Sequence, residues 1–298
     1  MFRKKILKFS KSILKLVLPI FFKILIKLKL NRRTINFLQE KSYFSNNLND
    51  LSRIIEKIIK NEKIVALDVG AQGGFNSDNF LSSKYNIFFN EVLIEPLKIK
   101  TENSEKKIKV IKKGLWSKKE IKKLYVLGKR PGSSSMFEPD KEKFYLHNIM
   151  KKDYENYDVT ETVEVECDTL ENLLKEISIK EIDYLKIDTQ GAELEILKGL
   201  GNYRPLLIKL EAHIFSMYKN TPSWHELLNC LYNLNYTIID WKSIGGHQTR
   251  VPAEMDIIFI PNFNNERGKN LILKYKEKFI TLILIFDKIN ILKSLFKK

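Results

Sequence analysis

A run of apolar residues, Ile64 to Leu67, ends in Asp68 and is followed by Val69 and by three glycines, Gly70, Gly73 and Gly74. A short continuous apolar run closed by glycine predicts a strand buried on both faces. Further strands are predicted at NEVLIEP, KIKVIKK, YLKID and LLIKLEAH, and LNDLSRIIEKIIK predicts a helix ahead of the first strand. Strands alternating with helical or irregular stretches argue for a parallel α/β sheet covered on both faces. YTIIDW and MDIIFIP are joined by a glycine-containing loop with no room for a crossover helix, so they are expected to lie antiparallel. The polar and aromatic segment from Lys118 to Val165 fits poorly as sheet and is expected to be a lid or substrate-facing loop. In CDTLENLLKEI, Asp168 with Glu171 three residues on predicts a capped helix start.

At 298 residues and 44% hydrophobic content the chain has material for one sizeable domain with appendages, which excludes a disordered polymer. Two cysteines, Cys167 and Cys230, make neither a disulfide framework nor a structural zinc site and read as small buried hydrophobes. The formal charge of +16 would suggest a nucleic-acid binder if it were spread over the fold. It sits at the ends instead: Met1 to Arg33 holds eleven basic residues and no acid, and Arg267 to Lys298 holds nine against Glu277 and Asp287. The middle is nearly balanced, so no nucleic-acid partner is expected.

In the N-terminal stretch Lys4, Lys8, Lys11 and Lys15 recur at helical spacing, with Ile6, Phe9, Ile13, Leu14 and Val17 largely elsewhere around the helix. The apolar runs at both ends are shorter than the roughly 20 residues a bilayer span needs. Peripheral attachment of a cytoplasmic protein to an anionic inner membrane face is therefore one reading of these tails. Packing of the same helices on the core or on a partner is the other.

The chemistry gathers at strand ends. Gly70 and Gly74 let the backbone turn sharply while a ligand comes close, and the following helix start suits a carboxylate or phosphate. Asp68 would repel a pyrophosphate, and the spacing DxGxxGG is not the GxGxxG of a dinucleotide site. An acid there suits a cationic amino-acid group instead. Glu95, at the tip of the second strand, is placed to accept hydrogen bonds from both hydroxyls of a ribose. Gly114 and Leu115 offer backbone and apolar contact to a flat base, with Trp116 either stacking on it or packing in the core.

With LDVGAQGGFNS, LIEP, GLWS, CDTLENLL, LKIDTQGAELEILKGL, LLIKLEAH and MDIIFIP in this order, the chain resembles class I S-adenosylmethionine-dependent methyltransferases, and specifically the FkbM family. The resemblance implies a Rossmann-like sheet of seven strands with the last antiparallel, S-adenosylmethionine as cofactor, and methyl transfer to oxygen. By motif position it implies that Asp68, Gly70 and Gly74 cradle the methionine end, that Glu95 holds the ribose, and that Leu115, Trp116 and Ser117 border the adenine. Gln72, Gly73 and Gln190 depart from the family pattern, Gln190 standing where an acid is frequent. The chain then divides into a basic amphipathic tail (1–33), a helical lead-in (34–63), the methyltransferase domain (64–262) and a basic apolar helical extension (263–298).

Removing a proton from a hydroxyl as the methyl is transferred calls for a positioned base. Asp188, ending the fourth strand, is the first candidate and His213 the second. Glu193 and Glu211 are read as orienting groups, and no metal ligand is assigned, although the two with Asp188 form a carboxylate set that a divalent cation could use. The expected acceptor is a saccharide or another hydroxyl-bearing molecule. An NAD-dependent oxidoreductase and a noncatalytic membrane-surface adaptor with a nucleoside pocket are the alternatives.

Overall fold

Ten strands are described, β1 (Ile64–Val69), β2 (Phe89–Ile94), β3 (Lys109–Ile111), β4 (Gly114–Leu115), β5 (Glu120–Leu127), β6 (Val159–Asp168), β7 (Tyr184–Ile187), β8 (Leu207–His213), β9 (Tyr236–Ile244) and β10 (Glu254–Pro261). The computed structural model describes residues 45–75, 83–98, 109–147, 149–244 and 252–296. The basic tail expected over 1–33 lies outside them. The chain divides into two units, Met1–Lys57 and Ile58–Lys298. Of the first, only part of helix α1 (Ser45–Ile59) is described; everything below concerns the second.

Seven strands form one sheet in the order β3-β2-β1-β7-β8-β10-β9. Its neighbours run parallel except β10, which is antiparallel to both β8 and β9. The reversed last strand and the β9–β10 hairpin agree with the sequence pattern. Strands β1 and β7 read as mainly apolar runs because nearly every position of both is buried; Leu67, Leu185 and Ile187 share one core with Ile208 and Leu210 of β8 and with Leu170, Leu173, Leu194 and Leu197. The chain winds outward from β1 in one direction and from β7 in the other, and the crevice of such a sheet opens where the winding reverses, at the carboxyl ends of those two strands.

The segment expected to be a loop from Lys118 to Val165 is corrected by the structure. Strands β5 and β6 pair antiparallel over most of their length, and β4 joins β6 to complete a second, three-stranded sheet. Only the connection between β5 and β6 is irregular, built from 3-10 turns at Pro131–Ser133, Lys141–His147 and Lys151–Tyr157. Phe144 and Tyr157 anchor it in a small core with Leu127, Met217 and Tyr218.

Helix α2 (Leu170–Glu176) begins one residue later than the sequence suggests. Thr169 is the cap, its Oγ1 accepting from the Asn172 amide at 3.1 Å, while Asp168 Oδ1 accepts from the Thr169 amide at 2.7 Å. Helices α3 (Glu193–Lys198) and α4 (Trp224–Asn233) follow β7 and β8, and α4 starts with a full capping box between Ser223 and Glu226.

The C-terminal extension forms α5 (Glu266–Lys274), α6 (Lys276–Ile285) and α7 (Ile289–Phe296). In α6 the side chains of Phe279, Leu282, Ile283 and Ile285 are buried, Phe286 packs on Tyr184 of β7, and Lys278 reaches Asp183 at 2.8 Å. The apolar run of this extension is therefore core rather than a surface offered to lipid.

Candidate active site

Three strand tips meet at one level. The Gly70 amide donates to the Ile94 carbonyl at 3.0 Å, the Asp188 amide to Val69 at 2.9 Å, and the Glu95 amide to Ile111 at 3.0 Å. A cleft of about 540 Å³, its open mouth included, lies over them and is lined by Gly70, Glu95, Leu115 and Asp188, with Gly132 and Met136 contributed by the β5–β6 connection. A larger groove borders Asp183 and Leu206, which precede β7 and β8, at the opposite end of the sheet from the crevice.

Gly70 is where the two backbones come closest. Its φ is +81°, and a Cβ built there would stand 1.8 Å from the Asp188 carbonyl oxygen. Gly74 has nearly the same φ, +82°, but nothing lies within 4 Å of its Cβ position. Gly70→Ala is thus expected to cost about 2–4 kcal/mol of stability, strain plus a clash with backbone that cannot yield. Gly74→Ala should cost only about 1–2 kcal/mol from the left-handed conformation. Urea denaturation of the two variants checks this, and equal losses would show that the contact with Asp188 carries no weight.

Asp68 does not line the cleft. It is fully buried and takes the ammonium of Lys186 at 3.0 Å, the two being partners in the β1–β7 register. Lys186 also stands 3.9 Å from Asp188 Oδ2. The cationic partner that the sequence reading assigned to a ligand is thus supplied to Asp68 by the protein. Glu95 is different. Its Oε1 accepts from the Leu97 amide at 2.9 Å, and its other oxygen has no hydrogen-bond partner among the described residues. Burial pushes its carboxyl up to about 7, with Asp68 and Asp188 adding to the rise and the Leu97 amide opposing it.

The GLWS segment is divided between cleft and core. Leu115 lines the cleft. Trp116 is buried, its ring 5.8 Å from that of Phe137 and under the Lys122 ammonium at 4.2 Å. Ser117 donates to Glu195 of α3. Neither Trp116, Ser117 nor Gly74 is among the residues lining the cleft.

Beyond Asp188 runs a polar chain that the sequence reading largely missed. Gln190, at φ +58°, donates from Nε2 to Asp188 Oδ1 at 3.1 Å and to Glu211 Oε1 at 2.8 Å, while its Oε1 accepts from Tyr218 at 2.9 Å. Glu211 in turn meets His213 Nε2 at 3.1 Å, and His213 stacks on Tyr218 with ring planes 15° apart. Burial and Asp188 push Glu211 up, whereas Glu211, Glu254 and Glu193 hold a proton on His213 despite its burial. His213 lines a smaller neighbouring cavity with Gly191, Thr221 and Trp224, so the two candidate bases border different spaces. Glu193 accepts from the Thr189 amide at 2.9 Å and from the Gly191 amide, bracing the turn that carries Gln190.

The methyltransferase FkbM domain family matches this chain over residues 68–238. A stretch of 105 residues is 31% identical to methyltransferase sdnD of Sordaria araneosa and covers 31% of this chain and 40% of that protein, so the chain matches less than half of that relative's length. The crystal structure of the small RNA methyltransferase HEN1 shares 9% identity at a TM-score of 0.30, covering 72% of this chain and 25% of that one.

Proposed function

Because the chain belongs to the FkbM methyltransferase family, we propose that it binds S-adenosylmethionine in the cleft over β1, β2 and β7 and methylates a hydroxyl oxygen of a saccharide or lipid-linked glycan. The observation that carries this reading is the pair of acids, Glu95 and Asp188, lining one cleft on either side of the Gly70 turn. The residues present fit the cofactor. Glu95, a buried carboxylate on the cleft wall with one oxygen lacking a hydrogen-bond partner among the described residues, suits two ribose hydroxyls; Leu115 and Met136 suit a base; and an acid-rich cleft suits a sulfonium better than a pyrophosphate. When bound, the cofactor supplies the methyl group.

The protein's part is to align and deprotonate. Asp188 Oδ1 is held by the Gln190 amide and Oδ2 leans toward Lys186, so the carboxylate is fixed at the cleft floor. There it accepts the hydroxyl proton as the new carbon–oxygen bond forms and the sulfur–carbon bond breaks. Calorimetric titration with S-adenosylhomocysteine and with NAD tests the cofactor assignment, and tight binding of NAD alone overturns it. Transfer of label from S-adenosylmethionine into saccharide extracts tests the acceptor class; a noncatalytic nucleoside-binding adaptor would incorporate none.

The Glu95 shift gives this cleft a pH signature. Ribose hydroxyls donate to the ionised carboxylate, so binding should release a proton below pH 7 and affinity for S-adenosylhomocysteine should rise about tenfold from pH 6 to pH 8. For the unliganded protein the sign is opposite. A carboxyl raised in the folded state to about 7 from its ordinary value of 4.5 makes stability fall as pH climbs through that window. Titrations at both pH values, repeated with Glu95→Gln, check the effect; a slope that survives in the variant would assign it elsewhere.

Attachment of the N-terminal stretch to an anionic inner membrane face remains part of the proposal, supported by its eleven basic residues without an acid. Among the described residues no helix is long and apolar enough to cross a membrane.

A further inference from the structure

Where β8 and β10 pair, the ladder brings three chemistry-bearing side chains together. Glu211 and His213 are two residues apart on β8 and so share a face, and Glu254 is the direct antiparallel partner of His213. One oxygen from each glutamate and one imidazole nitrogen lie within 4.8 Å of one another. We propose that Glu211, His213 and Glu254 form a binding site for a divalent first-row transition ion of the class that imidazole and carboxylate ligands suit, such as Mn²⁺ or Zn²⁺.

Three observations beyond the cluster itself support a cation here. The imidazole is 7% exposed, its Nε2 meets Glu211 Oε1 at 3.1 Å, and its Nδ1 is buried with no hydrogen-bond partner among the described residues, so the ring's hydrogen-bonding capacity is not filled there. Each glutamate is also held by a side chain outside the cluster, Glu211 by the Gln190 amide at 2.8 Å and Glu254 by His147 Nδ1 at 3.0 Å, with the other nitrogen of His147 2.6 Å from the Phe215 carbonyl. Such outer partners fix carboxylates in a ligating orientation. A third carboxylate also borders the cluster, since the Gln190 side-chain amide that meets Glu211 meets Asp188 as well.

Two carboxylates and one imidazole leave coordination positions open, and Gln190 ties Glu211 to Asp188 through a single amide group. An acceptor hydroxyl that reached an open position would be made more acidic by the ion. That catalytic half rests on the methyl-transfer reading; ion binding does not.

The full chain, stripped with EDTA and dialysed, would be titrated with MnCl₂ and with ZnCl₂ by calorimetry, and with Mn²⁺ by electron paramagnetic resonance. The expected result is one ion per chain, with affinity at least tenfold weaker in Glu254→Gln and in Glu211→Gln while both variants keep wild-type circular dichroism. No saturable binding to the native chain, or unchanged affinity in both variants, overturns the site and leaves a proton on His213 as what balances the glutamates. Ion binding without effect on methyl transfer overturns the catalytic half alone. Titration of Glu254→Gln with S-adenosylhomocysteine should match the native chain, which separates failure of the ion site from failure of the cofactor reading.

Discussion

Replacing Lys186 with Met should destabilise the protein by about 3–5 kcal/mol. The Lys186 side chain is 3% exposed and its ammonium stands 3.0 Å from a fully buried Asp68, so its removal takes an ion-pair partner from a carboxylate that water cannot reach. The loss spreads, because Asp68 and Asp188 both act on Glu95 and Lys186 is the cation beside two of those three acids. Methionine keeps the volume of the lysine stem, so packing is little altered and the effect reads out charge. The double variant Asp68→Asn with Lys186→Met should cost clearly less than the two single losses added together, since it removes the buried charge with its partner. Urea denaturation measures all three, with unchanged m-values confirming that the native state alone is affected. Additive losses would mean that the pair is not coupled.

The same pair shows where sequence reading stops. The strands were legible because nearly every position of β1 and β7 is buried, so both read as apolar runs interrupted only by Asp68 and Lys186. Asp68 was legible as an acid at a strand end, but its partner was not. The signal was present in YLKI, where a lysine sits inside a strand buried at every position and so must meet an acid. Strands β5 and β6 were missed for a different reason. Their segment was judged by its polar composition, although Val163, Val165 and Cys167 alternate with exposed glutamates, the period-two pattern of a half-buried strand. Composition says how much of a segment is buried; period says which face.

At the site, the positions of residues near the strand tips were legible because tip position alone implies a crevice: Gly70, Glu95 and Asp188 all line it. Trp116 and Ser117 follow Leu115 in sequence yet turn into the core and toward α3. Gln190, Tyr218, His147 and Glu254 carry no spacing that links them. Glu254 reaches His213 only through antiparallel register, and His147 reaches Glu254 only through the folding of the β5–β6 connection. Such groupings are products of tertiary structure, and a single sequence offers no period from which to read them.

Asp188→Asn tests which of the two candidate bases faces the reacting hydroxyl. Asparagine keeps the side chain's size and can still meet Gln190, so the cleft should hold its shape and affinity for S-adenosylhomocysteine should change by no more than a few-fold. What is lost is the ability to take a proton, and kcat should fall by about 10²–10⁴. A drop confined to kcat marks an interaction made only as the reaction proceeds. His213→Gln should act more weakly, because His213 borders the neighbouring cavity and connects to Asp188 only through Glu211 and Gln190. The reverse ranking, with Asp188→Asn active and His213→Gln dead, would move the base to β8 and make the smaller cavity, rather than the cleft floor, the place where the hydroxyl is deprotonated.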